Sequence, residues 1–150
     1  MTLSISRTDV ECTAFRELIS ALDAYLRGCY GPEQDNYADF NTLEADSAVI
    51  VAFDGDIAVG CGAFRQHDAD RVEIKRMFVA PSHRERGVAG MVLAALEEWA
   101  GERGFVRAVL ETGPLQTQAI ALYGRMGYVE IDNFGPYSEM PSSVCFAKAL

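Results

Sequence analysis

The stretch Arg84-Glu85-Arg86-Gly87-Val88-Ala89-Gly90 determines how the centre of this chain folds. It follows a strand-like apolar run, 72–79, and opens a helix-like run, 88–103. The first N–H groups of a helix have no partner inside it, and the helix dipole adds about half a positive charge there. Small residues at 87, 89 and 90 keep the backbone accessible, so the stretch predicts a site for a phosphate-bearing ligand at residues 86–90. The alternative is a tight turn that needs glycine only for its geometry.

On both sides of this stretch, apolar periodicity predicts further strands and helices. Strands are predicted at 3–5, 48–53, 57–64, 72–79, 106–110, 128–131 and 144–147. A first helix is predicted from a capping box formed by Thr8 and Glu11 to a break at Tyr30-Gly31-Pro32. Two more are predicted at 88–103 and 116–126, and 33–46 is predicted to be irregular or weakly helical. The pattern predicts one α/β (α+β) domain over residues 1–150, with a mixed, mostly antiparallel sheet.

Charge and cysteine content exclude several classes of protein. The net charge of −9 over 150 residues disfavours nucleic acid as a partner, because its binders need basic patches. Residues 28–64 carry seven carboxylates and no Lys or Arg, which suits either a cationic ligand or a solvated acidic surface. Four separated cysteines without a CxxC pair indicate reduced thiols in a cytoplasmic protein. No signal peptide, membrane-spanning segment or membrane partner is expected.

Other nucleotide and catalytic motifs do not occur. The chain has no GxxxxGK[ST], HExxH or GxSxG, and Gly60-Cys61-Gly62 lacks the third glycine of a dinucleotide fingerprint because Arg65 stands there. His67 and His83 are unclustered, so they are expected at the surface and no metal is expected. Cys61 and Cys145 are expected to be buried apolar thiols rather than carriers of a covalent acyl group.

A second motif, at residues 119–128, makes the central part of the chain similar to a known family. Residues 119–128, Ala-Ile-Ala-Leu-Tyr-Gly-Arg-Met-Gly-Tyr, follow the first motif at a suitable distance, and together they resemble the GNAT superfamily of acyl-CoA N-acyltransferases. The amino-acid sequence resembles a small bacterial subfamily at residues 73–77, 110–113, 134–137 and 143–146. Some members of that subfamily are labelled indole-acetic-acid acetyltransferases. The resemblance implies a twisted sheet flanked by about four helices and acetyl-CoA as cosubstrate.

The resemblance also implies which residues bind the cofactor. The strand at 77–79 pairs with the pantetheine arm, the loop at 84–90 holds the pyrophosphate, and the later helix borders the acyl end. Gln116 stands where many members have an Asn, seven residues before the Tyr. The cofactor-binding residues implied are Met77, Phe78, Val79, Arg84, Glu85, Arg86, Gly87, Val88, Ala89, Gly90, Gln116, Ala119 and Tyr123.

Tyr123 and Glu73 are the candidate catalytic residues. In the family the equivalent of Tyr123 protonates the departing thiolate, although Tyr123 also lies on the apolar stripe of its helix. Glu73 has the spacing of the family's catalytic base, eleven residues before Arg84, and its alternative role is to pair with Arg71, Lys75 or Arg107. Glu111 is a second candidate base or an acceptor contact, and Lys75 is expected to be a surface or pairing residue.

The function expected is transfer of an acetyl group from acetyl-CoA to a small-molecule amine by direct attack in a ternary complex, in a monomer or homodimer. The acceptor site is expected to include Tyr25, Tyr30, Tyr37, Glu111 and Tyr137. One alternative is an acyl-CoA-binding module or sensor without transfer activity. Another is a protein-lysine or N-terminal acetyltransferase.

Overall fold

A computed structural model describes residues 1–34 and 42–150 as one seven-stranded sheet with helices on both faces. The strands are β1 (Leu3–Thr8), β2 (Ala48–Asp54), β3 (Ile57–Gln66), β4 (Arg71–Val79), β5 (Arg107–Thr112), β6 (Val129–Ile131) and β7 (Val144–Ala149). The helices are α1 (Thr13–Tyr30), α2 (Val88–Glu102) and α3 (Thr117–Arg125), with short 3₁₀ turns at Pro81–His83 and Gly135–Glu139.

The strand order is β1-β2-β3-β4-β5-β7-β6, and β4–β5 is the one parallel pair in the described sheet. This confirms the mixed, mostly antiparallel α/β fold and all seven predicted strands. The described residues form three α-helices, whereas about four were expected. Among those helices none is both long and apolar enough to cross a membrane.

Alternate residues of the central strands face the two helical layers. Val49 and Val51 pack against α1, while Ile50 and Ala52 belong to the larger core that includes α2. Successive side chains of a strand point to opposite faces, so a strand covered on both faces is apolar throughout. This explains the uninterrupted run from Ala48 to Phe53.

The capping box predicted at Thr8 and Glu11 is wrong. Thr8 ends β1, and α1 begins only at Thr13, where its N-cap Cys12 makes no side-chain cap. The Asp9 carboxylate accepts the Glu11 N–H at 2.9 Å, and the Asp9 carbonyl accepts the Cys12 N–H at 3.2 Å. Asp side chains favour such turns, so this turn replaces the expected first helical turn.

Gly60 and Gly62 are small because other side chains occupy the space over them. A Cβ on Gly60 would lie 2.7 Å from Cγ1 of Val88, the first residue of α2. A Cβ on Gly62 would lie 2.5 Å from the Met77 sulfur and 2.9 Å from Leu96 Cδ1. The GxG sequence therefore serves the packing of α2 and β4 on β3.

A bulge in β4 separates this strand from β5. Cys61 pairs with Phe78 and Ala63 with Lys75, so Arg76 and Met77 together oppose the single residue between them on β3. Arg76 has φ 61°, a left-handed conformation, and its guanidinium pairs with Asp23 of α1 at 2.7 Å. Pairing of β4 with β5 ends at Ile74 and Leu110. Beyond that point the two strands border an open cleft.

Candidate active site

Two adjoining cavities lie at the cleft between β4 and β5. The first, called here the groove, has a volume of about 560 Å³ and runs from the β4–α2 loop along α3. The second, called the chamber, has a volume of about 400 Å³ and lies between α1 and the diverging ends of β4 and β5. Six residues border both cavities: Leu22, Met77, Leu115, Gln116, Ala119 and Tyr123. A ligand in the groove therefore reaches the chamber past these residues.

The β4–α2 loop presents its backbone to the groove. Gly87 is the N-cap of α2 with φ 81°, and Glu85 has φ 62°. The first helical hydrogen bond runs from Met91 N–H to the Gly87 carbonyl at 3.1 Å, so the N–H groups of 88–90 have no partner within the helix. A Cβ on Gly87 would meet no atom within 4 Å, because it would point into open space. This is the geometry of an anion site at a helix N-terminus.

Twelve of the thirteen residues implied as cofactor-binding border the groove. They are Met77, Phe78, Val79, Arg84, Glu85, Gly87, Val88, Ala89, Gly90, Gln116, Ala119 and Tyr123. Arg86 is the exception, because its guanidinium extends to the N-terminus and lies 3.9 Å from the Met1 sulfur.

Arg84 joins the loop to α1. Its Nε donates to the Val79 carbonyl at 3.0 Å, and its guanidinium lies 4.9 Å from the ring centre of Tyr25 and 5.6 Å from that of Phe78. These cation–π contacts explain why Tyr25, expected in the acceptor site, instead borders the groove.

Tyr30 borders the chamber, as expected. Its hydroxyl accepts the Leu115 N–H at 3.1 Å and lies 3.5 Å from Nε2 of Gln116, which makes Gln116 part of the wall between the two cavities. A Cβ on Gly113 would lie 2.0 Å from the Tyr30 hydroxyl oxygen. Gly113 is therefore required for this contact, a role that no local pattern in the sequence indicates. Tyr37, also expected here, lies outside the described residues.

Tyr123 lies where the cavities meet. Its side chain belongs to α3 and is 6% exposed. Its ring packs edge-on against that of Tyr128, with 5.9 Å between the ring centres, and at a tilt against that of Phe146, with 6.1 Å between the ring centres. Within residues 1–34 and 42–150 its hydroxyl makes no hydrogen bond. Burial, with the nearby Glu111 carboxylate, raises the pKa of the phenol. The hydroxyl is therefore a protonated donor available to a ligand.

Glu73 is fully engaged by other side chains. It is 2% exposed and borders neither cavity. Its Oε1 accepts from Arg65 Nε at 3.1 Å and forms an ion pair with Arg65 Nη2 at 3.0 Å. Its Oε2 accepts from the Tyr137 hydroxyl at 2.8 Å and Lys75 Nζ at 3.3 Å. Of the three pairing partners considered from sequence, Lys75 is present, whereas Arg71 pairs with Asp68.

Tyr137 lies behind Lys75. It is 1% exposed and does not border the chamber, in contrast to the expectation that it contacts the acceptor. Its hydroxyl accepts from Lys75 Nζ at 2.9 Å while donating to Glu73. The residue thus links the two charged groups instead of facing a ligand.

Glu111 is a half-buried carboxylate that borders the chamber. Its Oε2 accepts from the Ser143 hydroxyl at 2.8 Å, and Oε1 has no hydrogen bond among the described residues. Burial raises the pKa of this carboxyl, while the Ser143 hydrogen bond and Lys75 act in the opposite direction. A carboxylate of this kind can bind an ammonium group or take a proton from it.

Lys75 and Ser143 were not assigned to the site from sequence. Lys75 is buried and borders the chamber, so the surface alternative is wrong and the pairing alternative is right. Its position two residues after Glu73 on one strand was the available signal, because the two side chains share a face. Ser143 is distant from Glu111 in sequence, and only the β5–β7 pairing brings them together.

Among the described residues, neither buried cysteine has a lowered pKa, and no cluster of possible metal ligands occurs. Burial raises the pKa of Cys61 to about 12 and that of Cys145 to about 11, so both thiols stay protonated. His83 bonds Asp54 at 2.9 Å and Ser82 at 2.7 Å, and no cluster of three or more His, Cys, Asp or Glu could hold a metal ion in the part of the chain described.

Comparison with known proteins finds a matching family and similar structures. The model of the acetyltransferase (GNAT) family matches residues 15–128. The protein named IAA acetyltransferase from Azospirillum brasilense is 35% identical over 150 residues, which cover 99% of this chain and 98% of that protein. A Klebsiella pneumoniae structure described as an acyl-CoA N-acyltransferase is 33% identical with a TM-score of 0.84, covering 99% and 98% of the two chains.

A structure with bound acetyl-CoA shares the fold. This GNAT family acetyltransferase from Elizabethkingia anophelis has a TM-score of 0.71 at 17% identity and covers 99% of this chain and 98% of its own. At this level of identity the likeness concerns the fold alone.

Proposed function

The chain belongs to the acetyltransferase (GNAT) family, and we propose that it transfers an acetyl group from acetyl-CoA to a small-molecule amine by direct attack in a ternary complex. Acetyl-CoA-dependent acetyl transfer is the general reaction of that family. The observation that carries the rest of the proposal is the meeting of the groove and the chamber at Tyr123.

Acetyl-CoA fits the groove. The unpaired N–H groups of 88–90 and the open space over Gly87 suit its pyrophosphate. The pantetheine arm then lies along 77–79, where β4 has left β5 and its edge is available for pairing. In the structure the Arg84 side chain donates a hydrogen bond to the Val79 carbonyl. Arg84 must therefore release this carbonyl before the pantetheine arm can pair with it.

The chamber supplies the acceptor and its base. A primary amine with a pKa of about 10.4 must lose a proton before attack, at a cost of about 4–5 kcal/mol at pH 7. We assign the base role to Glu111, because it borders the chamber and has an unpaired oxygen, whereas Glu73 has donors on both oxygens. Glu73 then serves to fix Lys75 and Arg65.

Tyr123 supplies the proton for the leaving thiolate. The burial that raises the pKa of its phenol also disfavours a thiolate formed beside it, so the transfer remains feasible. Glu111 takes the ammonium proton, and the neutral nitrogen attacks the acetyl carbon. The carbon–sulfur bond breaks, and sulfur takes the Tyr123 proton. The second nitrogen proton then restores the Tyr123 hydroxyl, and Glu111 releases its proton to solvent. Much of the rate gain comes from holding both substrates at the junction.

The two alternatives find less support. A non-catalytic sensor does not need a buried, unpaired hydroxyl beside a half-buried carboxylate, and both are present. A chamber of about 400 Å³ roofed by α1 suits a small molecule better than a polypeptide. We place the reaction in the cytoplasm, where the four unpaired cysteines remain reduced.

Two measurements test the proposal. The first is thermal unfolding with acetyl-CoA at a hundred times its Kd, which should raise the midpoint of the wild-type protein by about 5–10 °C. Gly87→Glu should unfold cooperatively and lose that shift. The second is release of CoA thiol with a panel of small amines and lysine peptides. Binding of acetyl-CoA without turnover on any amine would favour the sensor, and turnover on peptides alone would favour the protein acetyltransferase.

A further inference from the structure

Lys75 is an unusual residue for this chain and this position. The chain has two lysines among its 13 basic residues, and one of them, Lys75, is buried with 6% exposure. It borders the chamber together with Glu111 and Tyr123. A lysine can lose its proton in a buried site, whereas an arginine cannot. The chamber wall therefore carries an amine of its own.

The surroundings of Lys75 lower the cost of that loss. Burial lowers the pKa of its ammonium group, against the opposing effects of Glu73 and Glu111, while Arg65 acts in the same direction as burial. Nζ donates to the Tyr137 hydroxyl at 2.9 Å and to Glu73 at 3.3 Å, and the third N–H has no partner in the described part of the protein. The ionisable groups that act on Lys75 are therefore Glu73, Glu111, Arg65 and Tyr137.

Lys75 also borders the cavity that adjoins the proposed acyl end of the cofactor. Met77 borders both cavities and follows Lys75 by two residues on β4. Strand residues are about 3.3 Å apart along the chain, so the side chain of Lys75 can reach the region beside Met77 and Tyr123.

We propose that Lys75 is a second acceptor: when acetyl-CoA is bound and the chamber holds no amine, the protein acetylates the Nζ of Lys75. This inference rests on the proposed function, because it uses the same cofactor site and the same donor. The neutral amine attacks the acetyl carbon, the carbon–sulfur bond breaks, and Tyr123 protonates the thiolate. The Lys75 ammonium loses its first proton to solvent before the attack, and its second goes to Glu111 and from there, through solvent, to the Tyr123 phenolate. The products are N-acetyl-Lys75, CoA and one released proton.

The fold tolerates the product. Glu73 keeps the hydrogen bond and ion pair with Arg65 and the hydrogen bond from Tyr137 when the positive charge of Lys75 is lost. The added acetyl group occupies part of the chamber, and Glu111 loses a nearby cation that favours its ionised form. Acetylation of Lys75 therefore blocks acceptor binding and leaves a smaller fraction of Glu111 ionised, so it switches the enzyme off when amine is scarce.

The other lysine is a control within the same chain. Lys148 on β7 bonds Glu97 at 2.9 Å, lies 5.7 Å from the ring centre of Tyr128, and borders neither cavity. Slow chemical acetylation by acetyl-CoA in solution would favour this more accessible lysine over Lys75.

The test is to incubate the purified protein with acetyl-CoA, without an amine, and to follow intact mass and peptide mass over time. We expect one added acetyl group, at least about tenfold more on Lys75 than on Lys148, because the bound thioester is held beside Lys75. Tyr123→Phe should slow the modification, Lys148→Arg should not, and an amine that is a substrate should suppress it.

Two outcomes would overturn the inference. One is an unmodified protein whose thermal shift shows that acetyl-CoA is bound, and the other is equal or greater acetylation of Lys148. The site of acetylation is measured on the wild-type protein. The result therefore does not depend on whether a Lys75→Arg variant folds. Turnover of amines without modification of Lys75 would leave the proposed function standing and remove only this inference.

Discussion

The hydroxyl of Tyr30 lies against the α-carbon of Gly113, so closely that a Cβ there would be 2.0 Å from the hydroxyl oxygen. Through this contact α1 reaches the loop before α3, because the same hydroxyl accepts the Leu115 N–H at 3.1 Å. The roof of the chamber and the wall it shares with the groove are thus connected by one tyrosine.

Gly113→Ala should displace Tyr30 and distort the chamber. We expect kcat/KM for the amine to fall at least about tenfold, since small displacements in a two-substrate site are costly. Steady-state kinetics at saturating acetyl-CoA measure this. Gly101→Ala is the matched control, because a Cβ there meets no atom within 4 Å. Equal kinetics for both variants would show that the Tyr30 contact does not shape the acceptor site.

Tyr123→Phe removes the hydroxyl at the junction of the cavities and keeps the buried ring. We expect kcat to fall at least about tenfold with little change in affinity for acetyl-CoA, because the proton donor is lost while the groove is intact. Single-turnover kinetics and titration calorimetry separate the two effects. Tyr128→Phe is the control, since this buried tyrosine bonds Glu97 and borders neither cavity. Unchanged turnover in Tyr123→Phe would remove this residue from the chemistry.

Glu111→Gln and Glu73→Gln should fail in different ways. The pKa of Glu111 is raised by burial, so kcat/KM should rise with pH through a limb above the usual carboxyl range as this base ionises. Glu111→Gln should lose that limb and most of the activity while remaining folded. Glu73→Gln leaves Arg65 and Lys75 without their buried counter-charge, which should cost about 3–5 kcal/mol of stability.

Denaturant unfolding and pH–rate profiles distinguish these variants. A stable Glu73→Gln protein that has lost the acidic limb would reverse the assignment and return the base role to Glu73.

Ser143→Ala tests how Glu111 is tuned. The Ser143 hydroxyl donates to Glu111 at 2.8 Å and favours its ionised form, so its removal should raise the pKa of Glu111 further. The acidic limb of the kcat/KM profile should then move to higher pH, with the plateau at high pH little changed. Ser142→Ala, at the adjacent chamber residue, is the comparison. A lower plateau with an unmoved limb would mean that Ser143 only supports packing.

Local patterns predicted the fold well and the chemistry of the site only in part. Period-two and apolar runs marked all seven strands, and the glycine-bearing turn marked the helix N-terminus, because both depend on neighbouring residues. The base assignment depends on contacts across the chain. Arg65 faces Glu73 through the β3–β4 register, and Tyr137 reaches it from 64 residues away. No spacing within β4 reveals that these donors already occupy the carboxylate.

The bulge at Arg76 also depends on contacts across the chain, so local patterns did not predict it. It provides the last test. A left-handed residue other than glycine costs about 1–2 kcal/mol, and here the Asp23 ion pair at 2.7 Å holds it in place. Arg76→Ala should lose the ion pair and keep the strain, whereas Arg76→Gly loses the ion pair and relieves the strain. We therefore expect Arg76→Gly to be the more stable of the two by about 1 kcal/mol in denaturant unfolding, although glycine normally destabilises a strand.

Asp23→Asn, which weakens the pair alone, should fall between wild type and Arg76→Ala. If Arg76→Ala were the more stable variant, then residue 76 would not require the left-handed conformation, and the separation of β4 from β5 would need another cause.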